Sequence, residues 1–262
     1  MDLQLEDKVV VITGANAGIG LAAVKFFLGE GAKVVGGDRS IHTLEQLASD
    51  RLTPVSTDLS KPEGSELLLQ RAIEAFGRID ILVNNVGIAP LRSGFLSVDD
   101  EGWHSVWETN FMSMVRTTRA ALPYMIKQKK GSIVSVSSEV GHQPDPMLPD
   151  YSVSKAAILS LSKAISAEFG PLGIRANVVS PGPTRTPLWD NPGGFADSLA
   201  SAYGMNREEA VRHFTKNVRQ LALERIGTPE EVASVIAFVA SDQASFVTGS
   251  EYMVNGGALK QI

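Results

Sequence analysis

Tyr151 and Lys155 stand at the two ends of the run Tyr151-Ser152-Val153-Ser154-Lys155. Residues four apart share one face of a helix, so both side chains point the same way. A phenol beside an ammonium is a candidate proton-transfer pair. A free tyrosine titrates near ~10, and a neighbouring positive charge favours the phenolate and lowers that value. Tyr151 can then exchange a proton with a substrate oxygen near neutral pH. The same two residues also fit a helix that buries one aromatic ring and solvates one cation. Upstream, Ser137-Ser138 closes an apolar run. The Ser138 hydroxyl can bond a substrate oxygen and stabilise its developing charge, or it can satisfy the loop backbone at a strand end. A Ser-His-Asp hydrolase arrangement finds no support. His142 and His213 fall in predicted loop or lid segments, and Ser138 lacks the glycine-flanked elbow of hydrolases.

A second motif supplies a place for a phosphate. Thr13-Gly14-Ala15-Asn16-Ala17-Gly18-Ile19-Gly20 joins an apolar run to a helical pattern. Glycines let the backbone turn tightly and approach a pyrophosphate, which then meets the free N–H groups and positive end of the helix. The spacing is Gly-x-x-x-Gly-x-Gly, not the commoner Gly-x-Gly-x-x-Gly, and an ordinary tight turn is the competing reading. Asp38 closes the next apolar run. A carboxylate there accepts from the adenosine ribose hydroxyls and repels a 2′-phosphate, which favours NAD over NADP. It can also act as a helix cap, a role open to Ser40 as well. Arg39 next door leaves NADP possible. A nicotinamide cation would join Lys155 in favouring the Tyr151 phenolate.

These residues need a scaffold that brings them to one edge. Strands are predicted at 8–13, 33–38, 53–57, 80–84, 131–136, 174–179 and 252–254. Helices are predicted at 18–29, 41–48, 61–76, 151–169 and 229–239, with a long amphipathic stretch over 98–127 and Thr228 capping the last helix. Alternating strands and helices imply an α/β fold: a doubly wound parallel sheet, the Rossmann fold, of about seven strands with helices on both faces. One domain spanning 1–262 accommodates it. The Pro- and Gly-rich segments 141–149 and 181–194 both follow strands, so both belong at the carboxyl edge where such sheets bind ligands.

Composition narrows the function classes. The 262 residues carry 24 basic and 29 acidic side chains, a net charge of -5. That balance argues against a nucleic-acid or anionic-membrane surface, which needs clustered Lys and Arg. The absence of cysteine removes disulfides, thiolate nucleophiles and Cys-based zinc sites together. The start Met1-Asp2-Leu3-Gln4-Leu5-Glu6 does not read as a signal peptide, and no apolar run reaches the ~20 residues of a membrane span. A soluble cytoplasmic protein is expected.

Taken in order, Thr13-Gly14-x-x-x-Gly18-x-Gly20, Asp58-Leu59, Asn84-Asn85-Val86-Gly87, Asn110, Ser138, Tyr151-x-x-x-Lys155, Pro181-Gly182 and Thr186 resemble the short-chain dehydrogenase/reductases, in their single-domain branch. The resemblance runs from Lys8 to Gly257, with Val86 standing where the family usually has alanine. It implies hydride transfer between a nicotinamide cofactor and a secondary alcohol or ketone, with NAD preferred and no metal required. It implies that Tyr151 is the general acid/base and that Ser138 orients the substrate oxygen. Lys155 would bind the nicotinamide ribose and lower the Tyr151 pKa. Asn110 would kink its helix and hold a water in a relay to Lys155. The cofactor would rest on Gly14, Asn16, Gly18, Ile19, Gly20, Asp38, Arg39, Asp58, Leu59, Asn85, Val86, Gly87, Pro181, Gly182, Thr184 and Thr186, together with Tyr151 and Lys155. The resemblance also implies a homotetramer, with the helices around 99–127 and 151–169 making one interface and the last helix and C-terminal strand another.

An NADPH-dependent ketoreductase, such as a 3-oxoacyl thioester reductase, is the alternative within the enzyme class. A non-catalytic dinucleotide-sensing protein is opposed by the intact Asn110, Ser138, Tyr151 and Lys155. On the substrate side, a lid is expected over 187–224, hinged at Pro192-Gly193-Gly194. Its Leu188, Trp189, Phe195, Leu199, Tyr203, Met205, Phe214 and Val218 either face a largely apolar substrate or pack the lid on the domain. Glu139, His142, Gln143, Met147 and Leu91 add to that end. Arg92, His142 and Arg185 are candidates for holding a polar substrate group, with plain solvation as the competing role.

Overall fold

The run Val9–Thr13 (β1) has no polar face, and all five residues are buried. Val10 and Ile12 pack on one side of the sheet and Val11 on the other, as the two-residue repeat of a strand requires. A strand covered on both faces belongs inside a parallel sheet. The computed structural model describes residues 2–260; Met1, Gln261 and Ile262, the ends of the expected 1–262 domain, lie outside the described residues.

Six further strands complete the sheet: Lys33–Asp38 (β2), Leu52–Ser56 (β3), Ile81–Asn84 (β4), Gly131–Val136 (β5), Ile174–Pro181 (β6) and Glu251–Val254 (β7). Their order is β3-β2-β1-β4-β5-β6-β7, and every pairing is parallel. The chain winds outward from β1 to β3 and then crosses back to β4. The strand order therefore reverses between β1 and β4, where doubly wound sheets bind ligands.

Helices Gly18–Gly29 (α1) and, late in the chain, Pro229–Ala240 cover one face. The other face carries Pro62–Phe76, Ser113–Gln128 and Pro149–Phe169. In chain order the helices are α1, His42–Glu45 (α2), Pro62–Phe76 (α3), Asp100–Trp107 (α4), Ser113–Gln128 (α5), Pro149–Phe169 (α6), Pro187–Asp190 (α7), Phe195–Tyr203 (α8), Arg207–His213 (α9) and Pro229–Ala240 (α10). Thr228 caps α10 as expected, and Glu231 completes a reciprocal capping box.

Three expectations change. The helix expected over 41–48 shrinks to α2: Leu44 alone is fully buried, with Ile41 and Leu47 only partly so, and Ala48 turns left-handed. The helix expected from Tyr151 begins earlier, at Pro149, so Tyr151 lies in its first turn. The stretch expected over 98–127 is broken by a π-turn at Glu108–Met112. Among the described residues no helix is long and apolar enough to cross a membrane.

Candidate active site

The carboxyl ends of β1, β2, β4, β5 and β6 open onto one cleft of about 890 Å³. Gly14, Gly18, Ile19, Asp38, Arg39, Asp58, Leu59, Asn85, Val86 and Gly87 line one end. Ser138, Tyr151, Lys155, Pro181, Gly182, Thr184 and Thr186 line the middle. Three expected site residues stand behind the wall, namely Asn16, Gly20 and Asn110.

The loop after β1 is held by side chains from the loop after β4. The Thr13 hydroxyl oxygen accepts from the backbone N–H of Asn85 at 2.9 Å and of Val86 at 3.0 Å. Asn85 Nδ2 donates to the carbonyls of Thr13 at 2.9 Å and Gly14 at 3.0 Å. Gly14 and Gly18 take φ of 66° and 53°, a region that favours glycine. A side chain at Gly20 would overlap the Gly14 carbonyl, so Gly20 lets the loop fold back on the start of α1. This is a cradle of bare backbone at a helix N-terminus, and it fits a pyrophosphate.

Asp38 Oδ2 accepts from the Asn16 backbone N–H at 3.1 Å. The Asn16 side chain turns the other way: its Oδ1 accepts from the N–H groups of Thr43 and Leu44 and so caps α2. The expected cofactor contact of Asn16 is therefore corrected to a backbone position, and Ser40 is not needed as the cap. Arg39 is exposed beside Asp38 at the cleft edge. Asp58 accepts from the backbone and hydroxyl of Ser60, whose hydroxyl holds the carboxyl below its usual range.

Tyr151 is half-buried, with Ser138 facing it and Lys155 beneath it. Lys155 is 3% exposed; its Nζ donates to the Val136 carbonyl at 2.8 Å and lies 5.4 Å from the centre of the Tyr151 ring. Burial lowers the lysine to about 8. It pushes the Tyr151 phenol up to about 12, against a lowering from the Ser138 hydroxyl and with a further rise from Glu139. The fall expected from Lys155 is thus reversed by the protein groups alone, because desolvation of the phenolate outweighs them. Ser138 faces the Tyr151 phenol and also fills the expected backbone role: its Oγ accepts from the Val140 N–H at 3.4 Å.

Asn110 sits in the π-turn, where a helix ladder is locally broken. Its Oδ1 accepts from the Ile88 N–H at 2.8 Å, and its Nδ2 donates to the Ile88 carbonyl and the Ser154 hydroxyl. Both amide hydrogens are taken, so the side chain clamps the loop after Gly87 and has no hydrogen left for a water. A side chain added at Gly87 would come within 3.4 Å of Asn110 Oδ1 and 3.6 Å of Lys155 Nζ.

The far end of the cleft is lined by Leu91, Met147, Leu148, Leu188, Trp189, Phe195, Leu199, Tyr203, Phe214 and Val218. Trp189 stacks on Phe195 at 5.4 Å and meets Phe214 at 5.8 Å, so these rings both pack the segment and face the cleft. Met205 is exposed and does not line it. Gly193 and Gly194 form a tight turn between α7 and α8, tied by the Gly193 N–H to Asp197. The three cations considered for a polar substrate group are already paired: Arg92 with Asp150, His142 with Glu251, and Arg185 with Asp190 and Glu208. Sequence reasoning missed Thr13 as the hub of the phosphate loop, Arg219 in the cleft wall and the pairing of Glu139 with it. No local motif marks such partners, which lie far apart in the chain. Among the described residues no group of three or more His, Asp or Glu is placed to hold a metal ion.

The family model described as enoyl-(acyl carrier protein) reductase matches residues 14–258. The uncharacterized oxidoreductase YvrD of Bacillus subtilis (strain 168) is 36% identical over the full length of both chains. The 3-oxoacyl-(acyl-carrier-protein) reductase FabG of Thermotoga maritima is 36% identical over 97% of this chain and 99% of its own. The crystal structure of L-sorbose reductase from Gluconobacter frateurii, complexed with NADPH and L-sorbose, superposes with a TM-score of 0.92 at 32% identity and covers 100% of both chains. The chain belongs to the short-chain dehydrogenase/reductase family. It is an NAD(P)-dependent oxidoreductase that interconverts a secondary alcohol and a ketone.

Proposed function

We propose that Tyr151 is the general acid/base of an NAD-preferring dehydrogenase acting on an uncharged, largely apolar secondary alcohol. The observation that carries this reading is the meeting of Tyr151, Ser138 and Lys155 in the same cleft whose other end is the glycine cradle. Ser138 orients the substrate oxygen. Tyr151 takes the proton from that oxygen in oxidation and returns it in reduction. When bound, the nicotinamide supplies the hydride acceptor or donor and, in its oxidised form, a positive charge beside the phenol. Lys155 keeps two donors free of Val136 for the nicotinamide ribose, and Asn110 fixes the adjoining loop through Ile88.

Gly14, Gly18 and Ile19 would hold the pyrophosphate, with Gly20 closing the loop behind them and Asn16 fixing it through its N–H bond to Asp38. Asp38 would take the adenosine ribose, and Asp58 with Leu59 the adenine. Asn85, Val86 and Gly87 would flank the adenosine side, and Pro181, Gly182, Thr184 and Thr186 the nicotinamide. The carboxylate of Asp38 at the cleft wall supports NAD. Exposed Arg39 beside it favours the second reading, an NADPH-dependent ketoreductase, which the names of the Thermotoga and Gluconobacter relatives also support.

The substrate end supports an uncharged substrate. Its arginines and His142 are paired, while among the described residues the Asp145 carboxylate there accepts only from the Met147 N–H. We read 187–224 as a lid on a single domain that excludes water. Exposed Tyr124, Val153 and Met253 lie on α5, α6 and β7 and support a homotetramer, which sedimentation at micromolar concentration reads directly. Use of a diffusible nicotinamide supports a cytoplasmic location.

The test is turnover of a panel of secondary alcohols and ketones with NAD and NADP, by wild type and Tyr151→Phe. The substitution is expected to lower kcat/KM by about 10²–10⁴. Unchanged turnover would remove Tyr151 from the mechanism.

A further inference from the structure

Glu139 follows Ser138 directly and is 2% exposed. Its Oε1 accepts from Arg219. Its Oε2 has no hydrogen-bond donor among the described residues and lies against Gly182, where an added side chain would come within 2.9 Å of it. Hydride and proton transfer as described above make no use of this carboxylate. A buried carboxylate with half its acceptor capacity unfilled is costly to keep ionised, and burial raises its pKa, opposed by Arg219 and reinforced by Asp145. Its strong partner comes from 80 residues away, just past the π-turn Phe214–Val218 within the covering segment.

The charged groups around Glu139 are otherwise engaged. On α6, Asp150 is tied to Arg92 and Lys155 donates to Val136. In the adjoining loop, His142 pairs with Glu251 and Asp145 accepts from Met147. In the covering segment, Lys216 pairs with Glu224. Arg219 is thus the counter-ion of Glu139, and the Glu139 charge reaches the Tyr151 phenol.

We propose that Arg219 and Glu139 form a charge-balancing pair behind Ser138, in which Arg219 neutralises the carboxylate so that Tyr151 can lose its proton. Both act through Tyr151 and are positioning residues; the proposal rests on the reading of Tyr151 as general base. In alcohol oxidation Tyr151 must be deprotonated, so kcat/KM rises with pH through the apparent pKa of the coupled Tyr151–Lys155 system. With the Arg219 charge removed, the bare carboxylate opposes the phenolate and the acid limb moves to higher pH. With the Glu139 charge removed, Arg219 favours the phenolate and the limb moves to lower pH.

The experiment is the pH profile of alcohol oxidation for Arg219→Met, Arg219→Lys, Glu139→Gln and the Arg219→Met/Glu139→Gln double variant. The Arg219→Met limb is expected to rise, and the Glu139→Gln limb to fall, each by about half a pH unit or more. Arg219→Lys and the double variant should return close to wild type. A pair that serves packing alone would lower rates without moving the limbs. Limbs of Arg219→Met and Glu139→Gln that coincide with wild type, or that move in the same direction, overturn the proposal. Should Glu139→Gln fail to fold, the comparison of Arg219→Met with Arg219→Lys decides by itself, and coincident limbs overturn it. Full turnover in Tyr151→Phe would instead overturn the assignment of Tyr151, so the two failures are distinguishable.

Discussion

At the glycine-loop end of the cleft, Asn85 donates to the Thr13 and Gly14 carbonyls, and Thr13 accepts from two backbone N–H groups. At the far end, Arg219 meets Glu139, Arg185 bridges Asp190 and Glu208, and Trp189 stacks on Phe195. The first end is built from backbone and tightly packed glycines. The second is built from long side chains, several of them solvent-exposed ion pairs of the kind that contribute little individually. A shape made by backbone tolerates almost no added atom. A shape made by side chains can change its lining while the sheet beneath stays the same, which fits a family that keeps one cofactor type across many substrates.

Breaking each end in turn sharpens that contrast. The largest effect is expected from Gly20→Ala. Its methyl would overlap the Gly14 carbonyl, and overpacking of this kind costs about 1–3 kcal/mol or more. Nicotinamide affinity should fall at least ~100-fold for NAD and NADP alike, since such a cost with misplaced donors acts on the shared pyrophosphate; titration by protein fluorescence reads it, and unaltered affinity would contradict the cradle. Next comes Asp38→Ala. Removing the carboxylate should shift the ratio of kcat/KM for NADP over NAD upward by about tenfold or more, one lost charged hydrogen bond plus one lost repulsion. An unchanged ratio would transfer cofactor choice to another residue. The smallest effect on the cofactor is expected from Trp189→Ala. A buried tryptophan lost from its small cluster costs about 3–5 kcal/mol locally. KM for the substrate should rise about tenfold while nicotinamide affinity stays within about twofold, if the two ends are as independent as separated sites usually are. A parallel loss of cofactor affinity would show that the ends are coupled.

The two ends also differ in how much of them could be read in advance. Asp38 at the end of β2 and the glycines after β1 follow from strand and turn patterning alone. The arrangement of Asn16 does not: its side chain caps α2 because the chain there doubles back, and nothing at Asn16 itself signals it. Arg92, His142 and Arg185 looked available for a substrate, yet each meets a carboxylate brought from elsewhere, His142 from 109 residues away. Tyr151 carries the same lesson in energetic form. Spacing placed Lys155 beside it, but only packing revealed that burial of both groups would govern their titration.

Periodicity, glycine placement and the four-residue step from Tyr151 to Lys155 were enough to determine a doubly wound sheet, a glycine loop at its switch point and a phenol–ammonium pair, because each depends on backbone geometry over a few adjacent residues. The tertiary structure alone decided the strand order, the clamp of Asn85 on the loop, the pairing of Arg219 with Glu139 and the direction in which Tyr151 is shifted. Those depend on which distant side chains share a low-dielectric space, and proximity of that kind is created only when the sheet closes and water is excluded.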